Sequence, residues 1–237
     1  VSTQAELDPS LVTGAWREGD PAGSRRFIDI GSLQLENGTT LPDVRLAYET
    51  WGEYDGHNAV LVLPALTGDS HVPGPAGPGH PTAGWWSGLV GPGKAIDTDR
   101  FHVVAANILG GCQGSTGPSS RDADGLHWGG SFPALTVRDQ VQAEVALANE
   151  LGIPSWHGVI GGSAGGMRAL EWAIEFPERV ERLFLLATSA AASAEQIALS
   201  ATQIDAIRAD AAYFDGNYYD GRAGPLTGLD LARRMAH

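Results

Sequence analysis

The 237-residue chain has a single cysteine, no long apolar run and few basic residues, and each of these features argues against a large class of proteins. Its single cysteine, Cys112, excludes an internal disulfide framework and a cysteine-rich zinc site. No apolar run approaches the roughly 20 residues of a membrane span, and the N-terminus lacks the pattern of a secretory signal, so we expect a cytoplasmic protein. Basic residues are also scarce. The net charge of −13 argues against nucleic acid and anionic membranes as partners.

The chain also lacks the common nucleotide-binding motifs. The glycine-rich stretch 107–118 follows an apolar run, but no Gly-Lys-Ser/Thr completes it, which argues against a P-loop. No G-x-G-x-x-G stands at a strand-to-helix junction, which removes the simplest dinucleotide-binding interpretation. His71 and His80 have no third ligand at a usable spacing, so we interpret them as surface histidines. We predict no bound cofactor and no metal site.

What the chain does contain is an alternation of strand and helix patterns, in a composition typical of a folded protein. Asn37 marks a turn between two strands, and Thr136 opens a helix with Asp139 at the capping-box position. After this antiparallel start, the alternation predicts an α/β fold with an open, mostly parallel sheet. The predicted strands are residues 27–35, 44–48, 58–63, 101–108, 158–160 and 180–187.

From Ser193 onwards the pattern is helical, without further strands. Ser193 and Gln196 form a capping box, and helices are predicted at 196–209 and 228–237. We therefore divide the chain into a core at residues 1–188 and the start of a helical lid at residues 189–237.

Residues 161–165 match G-x-S-x-G, with Ser163 at the centre. An apolar run precedes them, and a helical pattern follows with apolar residues at Met167, Leu170 and Ile174. Strand, sharp turn and helix is the context in which this motif forms a nucleophile elbow. The alternative is a glycine-rich turn of a doubly wound protein with an incidental serine, because the motif is short. We take Ser163 as the candidate catalytic residue.

Two backbone amides are candidates for binding an oxyanion. The first is the N–H of Ala164, which directly follows the nucleophile. The second should come from the loop after the third strand, where Leu66 is well placed. Each such donor contributes about 10²–10³ in rate.

A serine nucleophile needs a histidine base that is oriented by a carboxylate. In this architecture the acid and then the histidine follow the serine along the chain. Of the seven histidines, only His237 follows Ser163, and it lies in a helical pattern rather than on a loop after a strand. The chain thus offers a nucleophile and oxyanion donors but no credible Asp/His pair. We expect it to be inactive by itself.

Six blocks of sequence resemble the homoserine O-acetyltransferase family, in the family's order and across nearly the whole chain. Several of them are distinctive, which a bare G-x-S-x-G is not. Family members commonly have methionine where Ala164 stands, a departure that leaves the amide in place. The blocks are residues 65–70, 91–99, 107–118, 136–139, 161–172 and 231–234.

The resemblance implies an α/β-hydrolase fold with a helical lid, and transfer of an acetyl group from acetyl-CoA to L-homoserine in methionine biosynthesis. Ser163 would carry the acyl group, and Leu66 and Ala164 would hold the oxyanion. Arg233 would bind the substrate carboxylate, although without the resemblance we would favour a surface arginine paired with Asp230 or a glutamate. A homodimer is also implied. The family's last strands, which supply the aspartate and histidine, are absent from this chain.

Three alternatives stay open. Within the same reaction class, the donor could be succinyl-CoA or the acceptor serine. An esterase or thioesterase of the α/β-hydrolase superfamily would use water as the acceptor. The chain could also be a non-enzymatic half that has no activity alone.

Overall fold

The computed structural model describes residues 15–219 and 224–236, so His237 lies outside the described residues. They form two compact units. One comprises residues 16–116 and 133–190 and contains the main sheet; the other comprises residues 15, 117–132, 191–219 and 224–236 and contains two of the helices. Within the described ranges, no helix is long and apolar enough to cross a membrane.

The first unit is built on a six-stranded sheet. Its strands are β1 (Arg26–Gln34), β2 (Thr40–Trp51), β3 (Ala59–Leu63), β6 (His102–Ala106), β7 (Gly158–Gly162) and β8 (Leu183–Leu186). They lie in the order β1-β2-β6-β3-β7-β8. Strands β1, β2 and β6 pair antiparallel, and β6, β3, β7 and β8 are parallel. The predicted mostly parallel sheet is confirmed.

Two further strands, β4 (Val90–Gly91) and β5 (Ile96–Asp97), form a separate parallel pair. They were not predicted from the sequence. A strand of two residues is too short to leave a periodic pattern.

Local sequence explains the hairpin and the first helix, α1 (Val137–Glu150). Asn37 Oδ1 accepts the backbone N–H of Thr39 at 2.9 Å, which closes the turn between β1 and β2. The predicted capping box is present, because Asp139 N–H donates to Thr136 Oγ1 and Thr136 N–H donates to Asp139 Oδ2. Asp139 also accepts the backbone N–H of Glu36 at 2.7 Å, so the cap ties α1 to the hairpin.

The core lies between the sheet and the helices α1 and α2 (Ala164–Glu175). All five residues of β3 are buried, as expected for a parallel strand covered on both faces. Trp156 and Trp172 are fully buried and meet edge to face, with ring centroids 6.1 Å apart. This core fixes β3, β7 and α2 relative to one another.

The second unit contains α3 (Ala194–Arg208) and α4 (Leu226–Ala236). The predicted capping box of Ser193 and Gln196 is present. Gly228 lets the helices approach closely, since a Cβ there would lie 2.5 Å from the Ala206 carbonyl oxygen. Its N–H donates to Asp210 at 2.9 Å, which ties the start of α4 to the end of α3.

Candidate active site

Ser163 lies at the turn between β7 and α2, as predicted. Its backbone has φ 53° and ψ −121°, a region that residues with a side chain rarely occupy. Such a conformation costs about 1–3 kcal/mol and persists when the surroundings hold it in place. The residue is exposed, and its hydroxyl makes no hydrogen bond within the described residues. The elbow therefore presents a free hydroxyl at the carboxyl end of a parallel strand.

Three hydrogen bonds hold the backbone of Ser163. Its N–H donates to the carbonyl of Leu186 on β8 at 2.9 Å. Its carbonyl accepts the N–H of Met167 at 3.1 Å and the hydroxyl of Thr188 at 2.9 Å. The strained residue is thus fixed from its own helix and from the neighbouring strand.

The glycines of the motif are needed because the helix approaches two strands. A Cβ at Gly161 would collide with the Gly165 carbonyl, and a Cβ at Gly165 would collide with the Leu63 carbonyl at the end of β3. A Cβ on Gly166 would lie 2.6 Å from the Thr188 side chain. These approaches set the first turn of α2 against the carboxyl ends of β3 and β8.

The candidate oxyanion donors come from two neighbouring strand ends. Leu63 and Gly161 are paired in the sheet, and Leu66 and Ala164 each follow three residues later. Neither the Leu66 N–H nor the Ala164 N–H has an acceptor within the described residues. The first N–H groups of a helix have no intrahelical partner, and they carry the positive end of the helix dipole. Both amides are therefore free to bind an anion, and their roles stay predictions.

The histidines of the first unit do not supply a base for Ser163. His57, His102 and His157 lie at or just before the amino ends of β3, β6 and β7, whereas Ser163 follows a carboxyl end. In parallel strands these are opposite edges of the sheet. No hydrogen bond joins any histidine of this unit to Ser163 within the described residues. A catalytic histidine is not found in this part of the chain.

The prediction that His71 and His80 are surface histidines is wrong. Both are 4% exposed, and their rings stack with centroids 3.8 Å apart. Glu49 on β2 lies beside them, so that one ligand atom from each residue falls within 4.8 Å of the others. The sequence analysis missed this third group because Glu49 lies 22 residues before His71. Spacing along the chain does not reveal a partner that the sheet brings in.

Contacts within the protein already engage both oxygens of Glu49 and Nε2 of His80, whereas His80 Nδ1 has no hydrogen-bond partner in the described residues. Glu49 accepts the Ser70 hydroxyl at 2.8 Å, and its other oxygen lies 3.1 Å from His71 Nδ1. His80 Nε2 accepts the backbone N–H of Ser24 at 3.0 Å. Burial lowers the pKa of His80, against the opposing effect of Glu49, so the ring is neutral at pH 7. The buried Arg25 guanidinium adds a positive charge nearby, which disfavours a cation. The cluster is better suited to anchoring its loop than to binding a metal.

Arg233 lies on α4 and is exposed. The alternative in which it pairs with Asp230 is wrong, because Arg234 makes that ion pair. Within residues 15–219 and 224–236, Arg233 has no ion-pair partner. Its side chain is therefore available to a ligand, and carboxylate binding stays a prediction.

Arg168 was not singled out in the sequence analysis, although it is completely buried on α2. A signal was present, since Gly165, Arg168 and Trp172 follow a helical spacing of three and four residues. The apolar residues Met167 and Ile174 lie on the other face, where they are 36% and 60% exposed. The buried face of α2 is thus the one that carries the charge.

Known proteins resemble the chain in sequence and in fold. A family described as the alpha/beta hydrolase fold matches residues 58–231. The homoserine O-acetyltransferase of Thermobifida fusca (strain YX) is 62% identical over 233 residues, which cover 97% of this chain and 62% of that protein. The chain therefore spans about three fifths of this curated relative, and matches its N-terminal part.

Two solved structures have the same fold over 90% of this chain. The homoserine O-acetyltransferase from Bacillus anthracis superposes with a TM-score of 0.81 at 32% identity, over 59% of its own chain. Esterase E22 superposes with a TM-score of 0.83 at 31% identity, over 60% of its own chain. The fold is thus shared by proteins named as transferases and as esterases.

Proposed function

The chain belongs to the alpha/beta-hydrolase fold family, and we propose that it is the nucleophile-bearing part of a homoserine O-acetyltransferase of methionine biosynthesis. Ser163 attacks the thioester carbonyl of acetyl-CoA and CoA leaves. The hydroxyl of L-homoserine then attacks the acyl-enzyme. The observation that carries the proposal is the exposed, conformationally strained Ser163 between β7 and α2. Strain of this kind is typical of functional residues.

The amides of Leu66 and Ala164 stabilise the negative charge that develops on the carbonyl oxygen. This role is supported by their lack of other acceptors in the described residues and by their position after two paired strands. Fixed donors directed at a developing charge lower the barrier, because they need no reorganisation during the reaction.

Arg233 binds the carboxylate of L-homoserine in this proposal. A guanidinium holds a carboxylate with two parallel hydrogen bonds, which orients the acceptor hydroxyl. Its exposure on α4 and its lack of an ion-pair partner within the described ranges support the role. Water must also be excluded from the acyl-enzyme in this proposal, because it would otherwise hydrolyse the ester.

The general base is proposed to come from outside the first unit. No histidine of the first unit is hydrogen-bonded to Ser163, and the relatives are longer than the stretch that they share with this chain. We propose that the remaining part supplies an aspartate and a histidine, and that this chain alone does not turn over. The complete protein is proposed to be a cytoplasmic homodimer.

A second candidate, an esterase or thioesterase, is favoured by the fold shared with esterase E22. It would use the same Ser163 and the same amides, with water as the acceptor. The transferase is preferred because identity to the Thermobifida fusca protein is 62%, against 31% for the esterase.

The test uses this chain followed by the remaining C-terminal part of the Thermobifida fusca relative, called here the completed protein. CoA release from acetyl-CoA is measured with and without L-homoserine, beside the chain alone, and mass spectrometry follows acetylation of Ser163. We expect homoserine-dependent release in the completed protein, none in the chain alone, and an acetyl-Ser163 adduct when homoserine is omitted.

The other outcomes separate the alternatives. Equal CoA release with and without homoserine, with acetate as product, would identify a thioesterase. Faster turnover of succinyl-CoA, or of serine as the acceptor, would reassign the substrates within the transferase class. A completed protein that is folded but releases no CoA from either donor would contradict the proposed function.

A further inference from the structure

The loop that carries the Leu66 amide, residues 64–70, is anchored at its far end by a buried polar group. Ser70 N–H donates to Asn107 Oδ1 at 2.7 Å, and the Ser70 hydroxyl donates to Glu49 at 2.8 Å. All three side chains are buried. Leu66, in contrast, is 71% exposed. The far end of the loop is therefore fixed, while the residue with the proposed donor has a largely exposed side chain.

The near end is anchored by Arg168, which lies on the helix of the nucleophile. Its Nη2 donates to the Pro64 carbonyl at 2.7 Å, at the point where β3 passes into the loop. Its Nη1 forms an ion pair with Glu144 of α1, and Glu144 also accepts Trp172 Nε1 at 2.8 Å. Arg168 is completely buried and Glu144 is 4% exposed. The guanidinium thus links the loop, α2 and α1.

The geometry of this guanidinium indicates what it is for. An arginine that serves only as an ion-pair partner can give two parallel hydrogen bonds to one carboxylate. One nitrogen of Arg168 donates to Glu144, and a second donates to the backbone carbonyl of Pro64. The buried Nε has no hydrogen-bond partner in the described residues. Leaving a buried donor unpaired is unfavourable. The side chain therefore reaches Pro64 at the expense of a fuller ion pair.

The position of α2 brings Arg168 close to the Pro64 carbonyl. Gly165 brings the first turn of α2 against the Leu63 and Pro64 carbonyls, which a Cβ at that position would meet. Arg168 is three residues later and lies on the same face. The elbow that directs Ser163 outward and the arginine that fixes Pro64 therefore belong to the same end of one helix.

We infer that Arg168 is a positioning residue for the oxyanion site, an inference that rests on the proposed function. It fixes Pro64 relative to Ser163, and thereby sets the direction of the Leu66 N–H two residues later. A donor displaced by about 1 Å can cost on the order of 10²-fold in rate. The interaction acts on the transition state, so its loss should lower kcat and leave the KM for acetyl-CoA unchanged.

The test compares three variants of the completed protein. Arg168→Lys keeps the charge but cannot reach two acceptors as a fork does. Arg168→Gln with Glu144→Gln removes both charges together, so that no buried carboxylate is left unpaired. The matched control is Arg138→Gln, because Arg138 of α1 also bridges the two helices, through Glu171 and Glu175, without touching the loop.

Two readouts distinguish positioning from a structural role. The first readout is kinetic. It comprises kcat and KM for acetyl-CoA, and the oxo-to-thiono ratio, which is the rate of cleavage of p-nitrophenyl acetate divided by that of its thiono analogue. The sulfur of the thiono ester is a weaker hydrogen-bond acceptor. The second is the NMR order parameter of the Leu66 amide, which needs no activity. We expect kcat to fall about 10-fold or more in the double variant with KM unchanged. We also expect a reduced oxo-to-thiono ratio and a Leu66 order parameter below about 0.6.

The outcomes are decisive in each case. Unchanged kcat, unchanged oxo-to-thiono ratio and a rigid Leu66 in the double variant would overturn the inference. An equal loss in Arg138→Gln would also overturn it, since the effect would then come from helix packing. If the unsubstituted protein transfers no acetyl group, the proposed function fails, and the order parameter still decides whether Arg168 holds the loop.

Discussion

Two strands flank the nucleophile strand β7, and they differ sharply in burial. Both β3 and β8 run parallel to β7 and both are apolar. Every residue of β3 is buried, with Leu61 fully inaccessible. On β8, Phe184, Leu185 and Leu186 are 54%, 40% and 45% exposed. Among the described residues, the strand on one side of β7 is thus buried and the strand on the other side is largely exposed.

The two sides of Ser163 also differ in how the described residues support the candidate site. On the β3 side, the loop with Leu66 is held by Arg168 at one end and by Ser70 at the other. On the β8 side, the support consists of backbone and hydroxyl hydrogen bonds to Ser163. Contiguous exposed apolar residues mark surfaces that a partner or another part of the protein covers.

The largest expected effect comes from substituting Ser163, which follows the strand that lies between β3 and β8. Ser163→Ala in the completed protein should lower homoserine-dependent CoA release by about 10⁴-fold or more, because the nucleophile is lost. Ser32→Ala, at an exposed position of β1, is the control and should keep full activity. Normal turnover in Ser163→Ala would remove the reason for treating either flank as part of a site.

The stability of the two flanks can be compared with one substitution in each. In the chain alone, Leu61→Ala should lower the free energy of unfolding by about 2–5 kcal/mol, because it leaves a cavity in the core. Leu185→Ala should cost less than about 1 kcal/mol, since much of its surface is already in water. Urea unfolding measures both. If the remaining part of the relative covers β8, the cost of Leu185→Ala should rise in the completed protein, whereas equal costs in the chain alone would contradict the comparison.

The contribution of the β8 side to the elbow is expected to be smaller. Thr188→Val removes the hydroxyl that donates to the Ser163 carbonyl at 2.9 Å, and should cost about 1 kcal/mol of stability. Thr202→Val is the matched control, because its hydroxyl donates to the Ala198 carbonyl within α3. Thermal unfolding gives the stabilities. A fall in kcat confined to Thr188→Val would show that β8 helps to hold the nucleophile.

A pH dependence should arise on the β3 side. Burial lowers the pKa of His80, and Glu49, Arg25, His71 and Asp69 are the titratable and charged groups around it. The unfolded chain takes up a proton near the ordinary histidine value of about 6.5, while the folded protein resists it. Stability attributable to His80 is therefore full above that pH and is lost as the pH falls below it.

Urea unfolding between pH 5 and 8 measures this slope. His80→Gln should flatten it, and the exposed His57→Gln should leave it unchanged. The same slope in both variants would mean that other groups are responsible.

The smallest expected effect concerns metals. Because contacts within the protein already engage Glu49, His71 and Nε2 of His80, and because Arg25 adds a positive charge, zinc or a chelator should shift the Tm of the chain by less than about 1 °C. Calorimetry with zinc chloride and with EDTA provides the measurement. A zinc-dependent rise of several degrees that disappears in His71→Gln would identify a metal site after all.

Much of the local structure of both units was predictable, because the signals are local. The capping boxes at Thr136 and Ser193, the turn at Asn37 and the sharp bend at Ser163 each depend on neighbours a few residues away. Periodicity gave the strand and helix types for the same reason. The two-residue strands β4 and β5 were missed because they are too short to show a period.

The sequence by itself determined the order of strands and helices, the elbow at Ser163 and the family that the chain resembles. The tertiary structure decided which apolar faces are buried, that Glu49 joins His71 and His80, and that Arg168 reaches Pro64. Local hydrogen bonds and periodicity are properties of adjacent residues. Burial depends on how the strands are ordered in the sheet, and so do contacts between residues that are 22 or 104 positions apart. A short stretch of sequence does not contain that information.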